Sequence, residues 1–313
     1  MNVLFISSGN TETGINPIVK NQGESLKSND IKVEYFTIKG KGLKSYLKHI
    51  SPLKKYIRTN KFDIYHAHYF LSGMVAALSS AKPLIISLMG SDLYVSRLWL
   101  FIIRIMYHKK NINLIVKSEN LKQKLNLENI YVIPNGVDVE KFSPVDMVDA
   151  KKENNWKAQR YILFASDPQR TEKNYGLAAQ ALEILNLENY ELVFLKNIPS
   201  EKVTSYLNGA DLLLLTSTYE GSPNIIKEAM ACNCPIVSTN VGDVEWVMGN
   251  TEGCFLTTFD PEEVAEKIDL ALEFAAKKGR TNGRDRIMEL GLDSDSIAKR
   301  IINLYKEILD SDS

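Results

Sequence analysis

The sequence predicts an α/β protein: two doubly wound parallel sheets facing each other across a cleft. Its 313 residues are about twice an ordinary domain length. Short apolar runs alternate with helical apolar periods along the whole chain, as in βαβ units. Between two such series, residues 135–156 hold an Asn-Gly turn, Pro144 and no apolar period. With 44% apolar and 24% charged residues, the composition excludes collagen-like, coiled-coil and largely disordered chains.

The first apolar run, 1–8, lacks a basic leader and a small-residue cleavage site, so it reads as a strand over 3–7 and not as a signal peptide. Strands follow at 32–37, 63–66, 84–88, 113–117 and 130–133. The most apolar stretch, 98–107, is broken by Arg104 and falls short of the ~20 residues that span a bilayer, so it is expected as a buried or interfacial helix. The second series has strands at 161–165, 191–195, 211–216, 235–238 and 253–256. The last helix, from Asp293, carries Ile297, Ile301, Ile302, Tyr305 and Ile308 on one face and has no strand to return to, so it is expected to cross back to the first domain. The expected domains are 1–145, 146–292 and this helix, 293–313. Cys232, Cys234 and Cys254 are an odd count without paired CxxC motifs, and neither a disulfide framework nor a zinc site is expected. A cytoplasmic protein is the expectation.

The formal charge of zero hides an imbalance. Residues 1–145 hold 20 Lys+Arg against 10 Asp+Glu, and residues 146–313 hold 18 against 28. Lys39, Lys41, Lys44, Lys48, Lys54, Lys55, Arg58 and Lys61 form a run with no acidic residue between them. Two readings stay open: contact of 39–61 with an anionic membrane surface or phosphate, and a solvated helix face. Nucleic acid is not expected as a partner, because only Tyr46 and Tyr56 interleave the cations and no recognition motif accompanies them.

Residues 212–247 carry the strongest chemistry. A buried strand ends at Thr216, a loop brings Glu220 and Gly221, and Ser222-Pro223 opens a helix, with Ser222 expected as N-cap and Pro223 at the first helical position. The amides of Asn224 and Ile225 at that helix start suit an anionic group such as a diphosphate. Glu220 and Glu228, eight positions apart, can accept hydroxyls of one ligand. Taken alone, the same carboxylates also suit a dipole partner and a surface helix residue. The loop 7–14, with Gly9 and Gly14, is neither a G-x-G-x-x-G fingerprint nor a P-loop. No H-x-x-x-H, G-x-S-x-G or acidic triplet is present, and no metal is required.

The run E-G-S-P-N-I-I-K-E-A-M-A followed by P-I-V-S-T-N-V-G-D-V-E resembles the donor-site signature of retaining glycosyltransferases of the family-4 type (glycosyl transferases group 1) with the GT-B fold of two Rossmann-like domains. In the same order, His66-Ala67-His68-Tyr69 with Ser72-Gly73, Gly90-Ser91-Asp92, and Ile133-Pro134-Asn135-Gly136-Val137-Asp138 with Phe142 and Pro144 are similar to its other motifs. The resemblance implies that Glu228 holds the donor ribose, that Glu220 binds the transferred sugar, and that Gly221, Ser222, Pro223, Asn224 and Ile225 line the donor site with Gly9 and Gly14. A basic pair, Arg170 and Lys173, would stabilise the leaving diphosphate. The chain departs from the family pattern by shifting that arginine, by Asn174 in place of glycine, and by Met89 where histidine often precedes Gly-x-Asp. Met89 cannot donate a proton, which leaves His68 as the candidate, with Asp92 and Met89 on the acceptor side.

The resulting expectation is a retaining, metal-independent hexosyltransferase-like enzyme without a bound cofactor. It would use a nucleotide-diphosphate sugar as co-substrate and a saccharide or lipid-linked acceptor, in surface polysaccharide assembly. Domain closure about a hinge at 142–156 would exclude water. The alternatives are an inactive nucleotide-sugar-binding scaffold, a sugar-nucleotide epimerase, and a nicotinamide-dependent oxidoreductase, the last without its glycine fingerprint.

Overall fold

A computed structural model describes residues 1–11, 14–93, 97–110, 112–157 and 160–312. They form two compact units, Met1–Gly136 with Ser294–Ser313, and Val137–Asp293. In the first unit, β1 (Asn2–Ser8), β2 (Lys32–Ile38), β3 (Ile64–His68), β4 (Leu84–Ser87), β5 (Asn113–Val116) and β6 (Tyr131–Val132) pair in parallel in the order β2-β1-β3-β4-β5-β6. Parallel sheets need helices on both faces, and the strands are apolar on both. On one face Leu4, Ile6, Tyr65, Ala67, Leu84, Ile86, Leu114 and Val116 pack against helices Gly42–Leu47, Ile50–Thr59, Phe70–Leu78 and Arg97–Lys110. Gly73 lets the third of these close on β4, since a Cβ there would sit 2.5 Å from the Ile86 side chain. Toward the other face, helix Pro17–Lys27 packs on the terminal helix Ser294–Asp312.

In the second unit, β7 (Arg160–Phe164), β8 (Tyr190–Phe194), β9 (Leu212–Leu215), β10 (Ile236–Thr239) and β11 (Cys254–Thr257) run in the order β11-β10-β9-β7-β8, again parallel. The four leucines of β9 are fully buried at the centre. Ile162, Phe164, Leu214 and Val237 meet helices Tyr175–Leu185 and Pro261–Lys278. In each sheet the first strand lies between the second and the third, so the winding reverses between β1 and β3 and between β7 and β9. Ligands of open α/β sheets bind outside the carboxyl ends of the strands at such reversals.

The division falls at 136/137 and not at 145/146. Residues 137–145 are tied into the second unit: the Val137 amide donates to Leu292 O at 2.9 Å, Arg284 Nη1 to Phe142 O at 2.9 Å, and the Val145 amide to Asn208 Oδ1 at 3.0 Å. The expected hinge at 142–156 is likewise structured. Asp146 caps helix Met147–Glu153, and Trp156 stacks on Tyr161 with ring centroids 4.1 Å apart. Cys232 and Cys234 are buried and Cys254 half-buried. Burial pushes their thiols up to about 12, 11 and 12, which leaves them protonated.

Candidate active site

The winding reversal of the second sheet collects the strongest polar cluster. After β7 the chain turns through a short 3-10 helix, Thr171–Lys173, and after β9 it runs through Ser217 to Glu220. The Lys173 ammonium meets Glu220 Oε1 at 2.5 Å, and Ser217 Oγ donates to the same oxygen at 2.8 Å. Hydroxyls hold the two loops in register. Thr216 Oγ1 donates to the carbonyls of Lys173 and Asn174, both at 3.0 Å, and the Thr218 amide donates to Glu172 O at 2.9 Å. From β10, Thr239 Oγ1 donates to Ser217 O at 2.7 Å. Gly242, at φ +62°, passes so close that a Cβ would lie 2.7 Å from Gly221 O. Glycine is required there on both counts.

The helix Asn224–Ala231 differs from expectation at its start. Pro223 is the N-cap residue, with no side-chain cap, and Ser222 precedes it. The Ser222 hydroxyl instead accepts from Lys227 Nζ at 2.9 Å. Lys227 is 1% exposed, and burial lowers its pKa against the raising influence of Asp243 and Glu228. Glu228 is half-buried by surface area, yet the protein around its carboxyl pushes it up to about 7, with Lys141 and Lys227 acting the other way. Asp243 is buried and also raised by burial, with Lys227 and Ser222 opposing. Glu228 is therefore poised near neutrality, a carboxylate whose charge depends on its neighbours. Sequence reasoning missed Lys227, Asp243, Ser217 and Lys141. For Lys227 a signal existed, since it lies three and four positions before the buried Met230 and Ala231 and so shares their helix face.

Arg170 is not brought to this cluster. Its guanidinium is 57% exposed and pairs with Glu172 Oε1 at 2.5 Å. Gly221 and Pro223 are buried beside the cluster, and Asn224 and Ile225 are half-buried at the helix start.

The reversal of the first sheet is of another kind. His68 ends β3, buried and stacked on His66 at 4.5 Å between ring centroids, and its Nε2 has no hydrogen-bond partner among the described residues. His66 Nδ1 meets Tyr305 Oη at 2.6 Å and its Nε2 meets Ser87 Oγ at 2.8 Å. Burial, reinforced by the nearby Lys117 charge, lowers His66 to about 3 and His68 well below its usual value, so both rings are neutral at pH 7. Asp92 turns inward. Its oxygens accept from the Met89 amide at 2.7 Å and the Phe70 amide at 3.3 Å, and burial pushes it up to about 7 against those bonds. Asp92 and Met89 thus close a turn. Gly9 packs on β2, where a Cβ would sit 2.9 Å from that of Thr37, and its amide donates to Ile38 O at 2.8 Å. Gly14, at φ +75°, lies in open space, and residues 12–13 of this loop are outside the described residues.

Two family descriptions match the chain, one on each half: "Glycosyl transferase 4-like" over residues 15–120 and "Glycosyl transferases group 1" over residues 148–273. A putative teichuronic acid biosynthesis glycosyltransferase of Bacillus subtilis is 26% identical over 66% of this chain and 60% of its own length. Among solved structures, a sucrose-phosphate synthase of Thermosynechococcus elongatus has a TM-score of 0.79 at 19% identity, covering 99% of this chain and 100% of that one. An Anabaena protein solved with UDP-glucose has a TM-score of 0.79 at 16% identity, covering 98% and 100%. The chain spans about half to two-thirds of the length of the curated relatives it matches.

Proposed function

From its membership of the group 1 glycosyltransferases of the GT-B type, to which this chain belongs, we propose that it moves a sugar from a nucleotide-diphosphate sugar to an acceptor hydroxyl with retained anomeric configuration and without a resident metal. The observation that carries this reading is the Lys173–Glu220 pair at the winding reversal of the second sheet.

In the reaction the bond from the anomeric carbon to the phosphate oxygen breaks. Positive charge grows on the sugar and negative charge on the departing diphosphate. Lys173 and the start of helix Asn224–Ala231 stabilise the negative side as preorganised electrostatics. Glu220 receives sugar hydroxyls beside the reacting carbon, and Glu228 receives the ribose diol. Retention follows from attack on the leaving-group face, with the acceptor proton passing to the phosphate oxygen that departs. The acceptor is a lipid-linked or growing saccharide in surface polysaccharide assembly, on the cytoplasmic side where nucleotide sugars are made. A UDP-sugar is the first donor class to test, since the Anabaena neighbour was solved with UDP-glucose.

Thermal melting against UDP, GDP, ADP, CMP, UDP-sugars, GDP-mannose and NAD tests this reading, because a ligand of the native state raises its Tm by mass action. One nucleoside diphosphate is expected to stabilise the wild type, and Glu228→Ala and Lys173→Ala are expected to lose the effect. Stabilisation by NAD alone, or by no nucleotide, overturns it. Product formed without any acceptor points to the epimerase alternative instead.

A further inference from the structure

All large apolar side chains exposed on the first unit, among the described residues, lie on one of its two faces. Leu43 and Leu47 project from helix Gly42–Leu47, Leu78 from helix Phe70–Leu78, and Leu98, Phe101 and Ile105 from helix Arg97–Lys110. Leu98 and Phe101 are 65% and 59% exposed. The spacings 43/47 and 98/101/105 each make one stripe on a helix. The inner sides of the same helices, through Tyr46, Leu53, Val75 and Ile103, fill the core over β1, β3, β4 and β5. These stripes are therefore an outer layer that the fold itself leaves uncovered.

The segments that carry these stripes bear charges of one sign, whereas at the margins of the face Glu119 lies on helix Glu119–Leu125 and Glu34 accepts from Tyr56 Oη at 2.8 Å. Lys39, Lys41, Lys44, Lys48, Lys54, Lys55, Arg58 and Lys61 are all exposed. Helix Phe70–Leu78 has no charged residue, and helix Arg97–Lys110 has Arg97, Arg104, Lys109 and Lys110 without an acidic one. In sequence these segments hold twelve Lys and Arg and no Asp or Glu. A second copy of the chain would bring the same cations against themselves, which disfavours self-association through this face. Lysines around apolar stripes that lie along a surface match an anionic interface with an acyl layer beneath it.

We propose that this face of the first unit docks on an anionic lipid bilayer, with the Leu43/Leu47 and Leu98/Phe101/Ile105 stripes entering the headgroup boundary and the lysines of 39–61 among the phosphates. The docking goes beyond glycosyl transfer and stands without it, so the two readings fail separately. Co-sedimentation of the full chain with phosphatidylcholine vesicles, with and without phosphatidylglycerol, tests it. Binding to the anionic vesicles alone is expected, weakening as salt rises. Lys44→Glu with Lys48→Glu is expected to lower the affinity at least about tenfold, and Leu98→Glu with Phe101→Glu by at least about tenfold at every salt concentration. Both changes lie on exposed side chains, so Tm is expected to hold, and Phe259→Glu on the second unit should bind as wild type. Transfer activity is read separately, with a soluble acceptor, and has no bearing on docking. Three results overturn the proposal: wild type left in the supernatant with phosphatidylglycerol present, equal binding by Leu98→Glu with Phe101→Glu, or a wild-type dimer that this double variant abolishes.

Discussion

The two units share one strand order at their winding reversals and hold different side chains there, an ion pair in the second and two neutral histidines in the first. At β7/β9 the groups are charged: Lys173 and Glu220 pair, and Glu228 sits near its ionisation point beside Lys227 and Lys141. At β1/β3 the two histidine rings are neutral, with His66 bonded to Tyr305 and Ser87, while the buried Asp92, itself pushed up to about 7, accepts from the amides of its own loop. The contrast extends to net charge. The first unit carries 22 Lys+Arg against 12 Asp+Glu, and the second 16 against 26. One topology thus supplies two places where loops converge, and the side chains decide which place suits a charge-separating reaction.

If the second reversal does the chemistry, Lys173→Met lowers kcat per folded molecule by about 10²–10³-fold, and Tm falls as well because Glu220 is left without its cation. Steady-state transfer assays check this, and a loss under about tenfold erases the contrast.

The next effect is on stability and belongs to the first reversal. His66→Ala strands the Tyr305 and Ser87 hydroxyls in the core and is expected to cost about 2–4 kcal/mol, and Tyr305→Phe about 1–2 kcal/mol, by denaturant unfolding. Activity per folded molecule of Tyr305→Phe should stay within about twofold.

A third prediction sets stability against binding at Glu228. Its folded pKa is raised from 4.5 to about 7, so the stability of the protonated form is fully present below pH 4.5 and is lost as pH rises through 7. Glu228→Gln is therefore expected to be more stable to unfolding than wild type at pH 8, by about 2 kcal/mol or less, and to match it at pH 4.5, by denaturant unfolding. The same variant should lose nucleotide stabilisation. A wild type that gains stability between pH 5 and pH 8 relative to the variant reverses the sign and sinks the assignment.

The smallest effect is expected at Arg170. Its exposed pair with Glu172 is worth under about 1 kcal/mol, and Arg170→Ala should leave kcat within about twofold. A large loss would enlarge the charged site beyond Lys173.

Much of the fold was legible because parallel strands covered on both faces must be short apolar runs, and 212–215, 236–239 and 160–164 read as such. Glu220, Glu228 and Lys173 stood out through motif spacing. Arg170 pairs with Glu172 and not with the Lys173–Glu220 cluster, because a guanidinium on an exposed turn takes the nearest carboxylate. Ser222 misled for a similar reason: Ser-Pro before a helix has the composition of a cap, but the buried amine of Lys227 takes the hydroxyl. The boundary at 145/146 was drawn from polarity, whereas the hydrogen bonds of Val137, Phe142 and Val145 decide it.

By itself the sequence determined the class, two βαβ series, their strands and the residue types available at each loop, since these follow from local period and turn chemistry. Only tertiary structure decided which of them meet. Lys173 and Glu220 are 47 positions apart and touch because β7 and β9 are neighbours in the sheet. The poise of Glu228 and the neutrality of His68 likewise come from burial and from distant charges, Lys141 and Lys117 among them. Desolvation and charge coupling depend on distance in space and have no period along the chain.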